Sequence, residues 1–103
     1  MRKRVKITVL RTEYYHDLVE RYAIPDLGMC PFHSEGQVMY SGGANAPEGM
    51  CGVAWQSIGP WVRRLSEGEL LQPSGTWLSD DSVGVFACPD GIRPVIFLLE
   101  AVD

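Results

Sequence analysis

Three cysteines and a histidine are the side chains of this 103-residue sequence best equipped for chemistry. Cys30 and His33 lie in Cys30-Pro31-Phe32-His33, and such a Cys-x-x-His knuckle can place a thiolate and an imidazole on one metal. Cys51 and Cys88 would then complete a tetrahedral Cys₃His site, for which zinc is the fitting ion. Only one knuckle is present, whereas a full zinc pattern carries two, and Cys88 falls in the alternation of a strand. Free cysteines also serve as small apolar core residues, so core packing, metal binding and thiol reactivity all stay open.

Among the thiols, Cys30 is the first candidate for a catalytic nucleophile or redox group, because a loop beside Pro31 favours exposure. Cys51 comes second, near a helix N-terminus whose backbone N–H groups stabilise a thiolate. Cys–His catalysis would require His16 or His33 to reach a thiol in space. His16 sits toward the polar border of its helix and reads first as a solvated side chain. Arg93 can hold an anionic ligand as a fork-shaped donor, with Asp90 beside it, although Asp90 and Gly91 are also ordinary turn residues. Glu35-Gly36-Gln37 and Pro47-Glu48-Gly49 read as turns, and Asp80 with Asp81 as a solvated loop.

The elements that must position these groups can be read from periodicity. Val5, Ile7 and Val9 alternate with polar neighbours and predict a strand over residues 4–11. Thr12 offers an N-cap, and Tyr15, Leu18, Val19 and Tyr22 carry the spacing of an amphipathic helix over 13–22, closed before Pro25. Residues 23–36 form a structured loop, residues 37–41 a short strand, and residues 41–49 the segment richest in turn formers. From Met50 a second helical face contains Ala54, Trp55, Ile58, Trp61, Val62 and Leu65. Pro60 makes it either one kinked helix or two short ones, with Gly68 as its stop. Residues 75–78 suggest a short strand or ordered loop. Val83 to Cys88 and Val95 to Ala101 flank Cys88-Pro89-Asp90-Gly91, the signature of a β-hairpin with glycine at a positive-φ position. The last strand is apolar on both faces and should be central and covered. The fold class is therefore α+β: one domain, residues 1–103, with a small, mainly antiparallel sheet and its C-terminal hairpin packed against two helices.

Composition bounds the partners. Hydrophobic residues at 46% and charged residues at 21% describe a globular chain. A net charge of −4 argues against nucleic acid as a partner, yet Arg2, Lys3, Arg4, Lys6 and Arg11 make the first strand basic, which reads first as a charged edge strand and second as anion recognition. No apolar run is long enough to span a membrane, no secretory signal is recognisable, and three cysteines, an odd number, suit the reducing cytoplasm. Trp55 and Trp61 share a helix face that serves the core, a ligand pocket or a homo-oligomer interface.

Taken in order, Cys30-Pro31, Glu35-Gly36-Gln37, Pro47-Glu48-Gly49-x-Cys51-x-x-Ala54-Trp55 and Cys88-x-Asp90-Gly91-x-Arg93-Pro94-Val95-Ile96-Phe97 resemble a family of small, uncharacterised bacterial proteins of about this length. The resemblance implies that Cys30, Cys51 and Cys88 are motif positions that meet in space. His33 is not part of that pattern, which favours a three-thiol site over Cys₃His. The expectation is a small binding or accessory protein for a metal or small ligand centred on the three cysteines. Its rivals are a thiol-dependent enzyme or redox protein using Cys30, and an oligomeric interaction protein without cysteine chemistry.

Overall fold

The computed structural model describes residues 3–71, 77–80 and 82–102. Six elements follow one another: β1 (Arg4–Thr12), α1 (His16–Tyr22), β2 (Val38–Ser41), α2 (Gly52–Ser66), β3 (Val83–Ala87) and β4 (Val95–Val102). The strands form one sheet in the order β2-β1-β4-β3, with every pairing antiparallel. This is the α+β architecture with a C-terminal hairpin that the sequence predicts, and β4 has the expected central place.

Alternation sorts the strand residues onto two faces. Val5, Ile7 and Val9 of β1 and Val95, Phe97 and Leu99 of β4 are buried, and α2 lays Ala54, Ile58, Val62 and Leu65 against them in a single core. Phe97 is wholly inaccessible, a burial that stabilises by roughly 1.5–3 kcal/mol for a side chain of this kind. The opposite face of the sheet, which carries Lys6, Thr8, Leu98 and Glu100, stays partly open.

Three expectations are corrected and one alternative is decided. β1 is not an edge strand but lies between β2 and β4; its cations are tolerated because Lys6 points away from the core, toward the open face. α1 begins at His16 with Tyr15 as N-cap and buries no residue, because Glu13 and Tyr15 first continue the strand: their N–H groups donate to the carbonyls of Pro94 and Ile92, at 2.9 and 2.8 Å. Of the two alternatives at Pro60, a single helix is the one found: α2 runs unbroken through it. Gly91 is not among the glycines with positive φ, since Asp90 organises the hairpin loop instead. Residues 75 and 76 of the expected short strand lie outside the described residues, as do Arg2 and Asp81, and Trp77 and Leu78 are not in a strand.

α2 stops as the sequence predicts. Gly68 takes φ +84°, its N–H donates to the Leu65 carbonyl, and the Glu69 N–H donates to that of Arg64, the paired closure that a left-handed glycine permits. No described helix is long and apolar enough to cross a membrane.

Candidate functional site

His33 is the most constrained polar side chain of the set. Its residue is only 5% exposed, its ring meets Phe97 edge-on with centroids 5.3 Å apart, and both nitrogens are engaged. Nε2 accepts the backbone N–H of Cys51 at 3.3 Å. Since that group can only donate, the ring proton belongs on Nδ1, which donates to Gln37 Oε1 at 2.9 Å. Cys51 is the N-cap of α2, so His33 closes the first turn of that helix onto the 23–36 loop. In this arrangement it has no nitrogen free for a metal or for use as a base.

The thiols border the same core. Cys30, Cys51 and Cys88 are all free and half-buried and pack against the apolar cluster. Cys88 pairs with Val95 across the hairpin: its N–H donates to the Val95 carbonyl at 3.1 Å, and its Sγ accepts the Val95 N–H at 3.4 Å. Among the described residues no three His, Cys, Asp or Glu side chains are grouped so that they could hold a metal ion. Cys30, His33, Cys51 and Cys88 do not make up such a group.

Asp90 and Arg93 also act within the fold. Asp90 Oδ1 accepts the N–H groups of Ile92 and Arg93, both at 3.0 Å, and its Oδ2 accepts Arg93 Nε at 3.0 Å. A guanidinium NH1 then donates to the Gly28 carbonyl at 3.0 Å, fastening the hairpin loop to the 23–36 loop. Partial burial pushes the Asp90 carboxyl up, but the three hydrogen bonds and the charge of Arg93 outweigh it and hold the pKa below the usual carboxylate range. Asp80 is likewise lowered, by its hydrogen bonds from the Ser82 hydroxyl and N–H. Arg93 thus does not present an open fork to a ligand.

A different surface has those properties. A groove of about 480 Å³ runs between the 43–44 segment and α2, lined by Gly43, Trp55, Gly59, Arg63 and Arg64 among others. The Trp55 indole rests on Gly59, where a Cβ would come within 3.0 Å of a ring carbon. Gly43, at φ +100°, presses on α2 so closely that a Cβ would stand 2.7 Å from Ser66 Cβ and overlap its Oγ. The Lys3 N–H donates to the Ser66 carbonyl at 2.8 Å, which brings the basic start of β1 to the Arg63 end of the groove. Arg64 lies over the Trp61 ring at 5.4 Å and pairs with Glu69 at 3.4 Å. Arg63 is exposed, and no ion pair engages it among the described residues.

No family model, curated protein or solved structure matches the chain. Function must therefore be argued from this geometry. The arginine groove was hidden in the sequence because nothing in the neighbouring residues marks Arg63 and Arg64, and only the approach of Gly43 gives them an opposing wall.

Trp61 stacks on Phe86, with centroids 4.8 Å apart and an interplanar angle of 11°. The two tryptophans of the helix face thus divide between the edge of the core and the groove.

Proposed function

We propose that this protein is a small binding protein, without catalysis of its own, for an anionic molecule that also carries a flat apolar group. The observation that supports it most is Arg63, a cation unengaged among the described residues, in a groove shared with the Trp55 indole. A guanidinium offers paired donors to a carboxylate or phosphate, and an indole offers a flat face for stacking. The volume suits a molecule the size of a nucleotide or an aromatic acid. The reading keeps the expectation of a binding protein but moves its centre from the cysteines to α2. The hydrogen bonds of His33, Cys88, Asp90 and Arg93 favour a structural part for the cysteine region over an enzyme built on Cys30.

The test is calorimetric titration of the whole chain with 2-naphthoate and with its neutral counterpart 2-naphthalenemethanol. Naphthoate should bind at least about tenfold tighter, since one engaged charge contributes on the order of 1.5–3 kcal/mol, and Arg63→Ala should remove that preference. Equal binding of both probes, no binding of either, or unchanged affinity in Arg63→Ala would overturn the reading.

A further inference from the structure

The open face of the sheet has a pattern that its inner face does not explain. Register places Val83, Glu100, Lys6 and Tyr40 in one row across β3, β4, β1 and β2, and Val85, Leu98, Thr8 and Val38 in the next. Each row is apolar or aromatic at both margins, Tyr40 with the Arg4 guanidinium 5.0 Å from its ring centroid. The charged pair lies in the middle of the first row, Lys6 on β1 and Glu100 on β4. Although these two are register partners, no ion pair joins them among the described residues. α2 packs on the opposite face, and α1 buries none of its own residues.

We infer that this face is self-complementary and is the docking surface for a second copy of the chain. Consider a two-fold axis lying in the interface, parallel to the strands and midway between β1 and β4. That operation lays β1 over β4 of the second copy and β2 over its β3. Lys6 then meets Glu100 of the second copy, and Glu100 meets its Lys6. Tyr40 and Val38 cover Val83 and Val85, while Leu98 lies against Thr8. One operation thus satisfies both unpaired charges and covers both apolar margins, the hallmark of an isologous contact, and sheets packed face to face keep their strands within about 30° of each other.

Area sets the strength. The strands β2, β1, β4 and β3 hold 4, 9, 8 and 5 residues; at about 3.3 Å per residue and about 4.8 Å between strands they present a projected face of roughly 400 Å² per copy. This falls below the roughly 800 Å² per partner of a standard interface, so the dimer is weak and forms only as concentration rises.

Sedimentation equilibrium of the whole chain, from micromolar to millimolar, tests the inference. The native protein should pass from monomer to dimer. Leu98→Asp, which changes the open face and leaves the core intact, should stay monomeric with an unchanged circular dichroism spectrum. Lys6→Glu and Glu100→Lys should each be monomeric alone, because like charges then meet across the axis. Their equimolar mixture should dimerise, because every facing pair is again opposite, a recovery that repulsion within one chain cannot produce. A native protein that remains monomeric at millimolar concentration, a dimer that survives Leu98→Asp, or a mixture that stays monomeric would each overturn the inference.

Discussion

Replacing His33 by phenylalanine separates its ring from its nitrogens. Phenylalanine keeps the size of the side chain and can keep the edge-on contact with Phe97, 5.3 Å away, but it deletes the acceptor of the Cys51 N–H and the donor to Gln37 Oε1. A polar group stranded away from water costs about 1–3 kcal/mol. Both contacts are only partly buried, so water can recover some of the loss and the low end of that range, about 1–1.5 kcal/mol, applies to each, giving about 2–3 kcal/mol together. For a domain of this size, that lowers Tm by roughly 10–20 °C. Urea unfolding followed by tryptophan fluorescence reads the change directly, with an unchanged slope if the folded state stays equally compact. Gln37 Oε1 keeps the exposed Ser34 N–H, 3.4 Å away, so the larger share of the loss falls on the Cys51 N–H. A His33→Phe protein within about 0.5 kcal/mol of native would be indistinguishable from an ordinary surface change and would refute the role assigned to the imidazole.

Gly43→Ala should destabilise by about 2 kcal/mol or more, because it forces a side chain into positive φ and into contact with Ser66; thermal unfolding measures it, and a neutral result would mean the 43–44 segment is not pressed on α2. Asp90→Asn should cost about 1 kcal/mol at neutral pH, loss of the Arg93 pairing being softened by solvent at this half-exposed site. Because the native Asp90 carboxyl titrates below its ordinary range, its contribution is complete above the unfolded pKa of about 3.9 and is lost as pH falls through the lower folded value. The two proteins should therefore converge in stability in acid, and a gap that persists well below that window contradicts the assignment. Treatment with a chelator under reducing conditions should leave Tm unchanged, since no described metal-holding group is present; a fall of several degrees would restore the zinc site to consideration.

The parts of the fold that were legible in the sequence are those governed by local chemistry. Alternation in Val5-Ile7-Val9 and Val95-Phe97-Leu99 marked two strands and their buried faces, and Gly68 marked the end of α2, because these signals depend on residues within a few positions of one another. The start of α1 was missed because Thr12 is a competent cap by composition, whereas backbone pairing to Ile92 and Pro94, some eighty residues later, holds residues 13–15 extended. The charges of β1 suggest an edge strand because they are visible in sequence while the face they occupy is not. The candidate site was the least legible part. Cysteine and histidine advertise chemistry by type, yet His33 is committed to Gln37 and Cys51, and the arginine groove exists only where Gly43 meets the far end of α2.

The pairing of β1 with β4 also fixes an order of events during synthesis. Residues 4–12 are made well before residues 95–102, the neighbour that completes one whole side of them. Until those emerge, β1 can pair only with the four-residue β2, leaving Ile7 and Val9 without Leu99 and Phe97. Closing so long a loop is slow, and the nascent chain carries an unsheltered apolar strand throughout. The sheet therefore closes only once residues 95–102 are free to pair with β1, and it is during that interval that a chaperone would have something to hold.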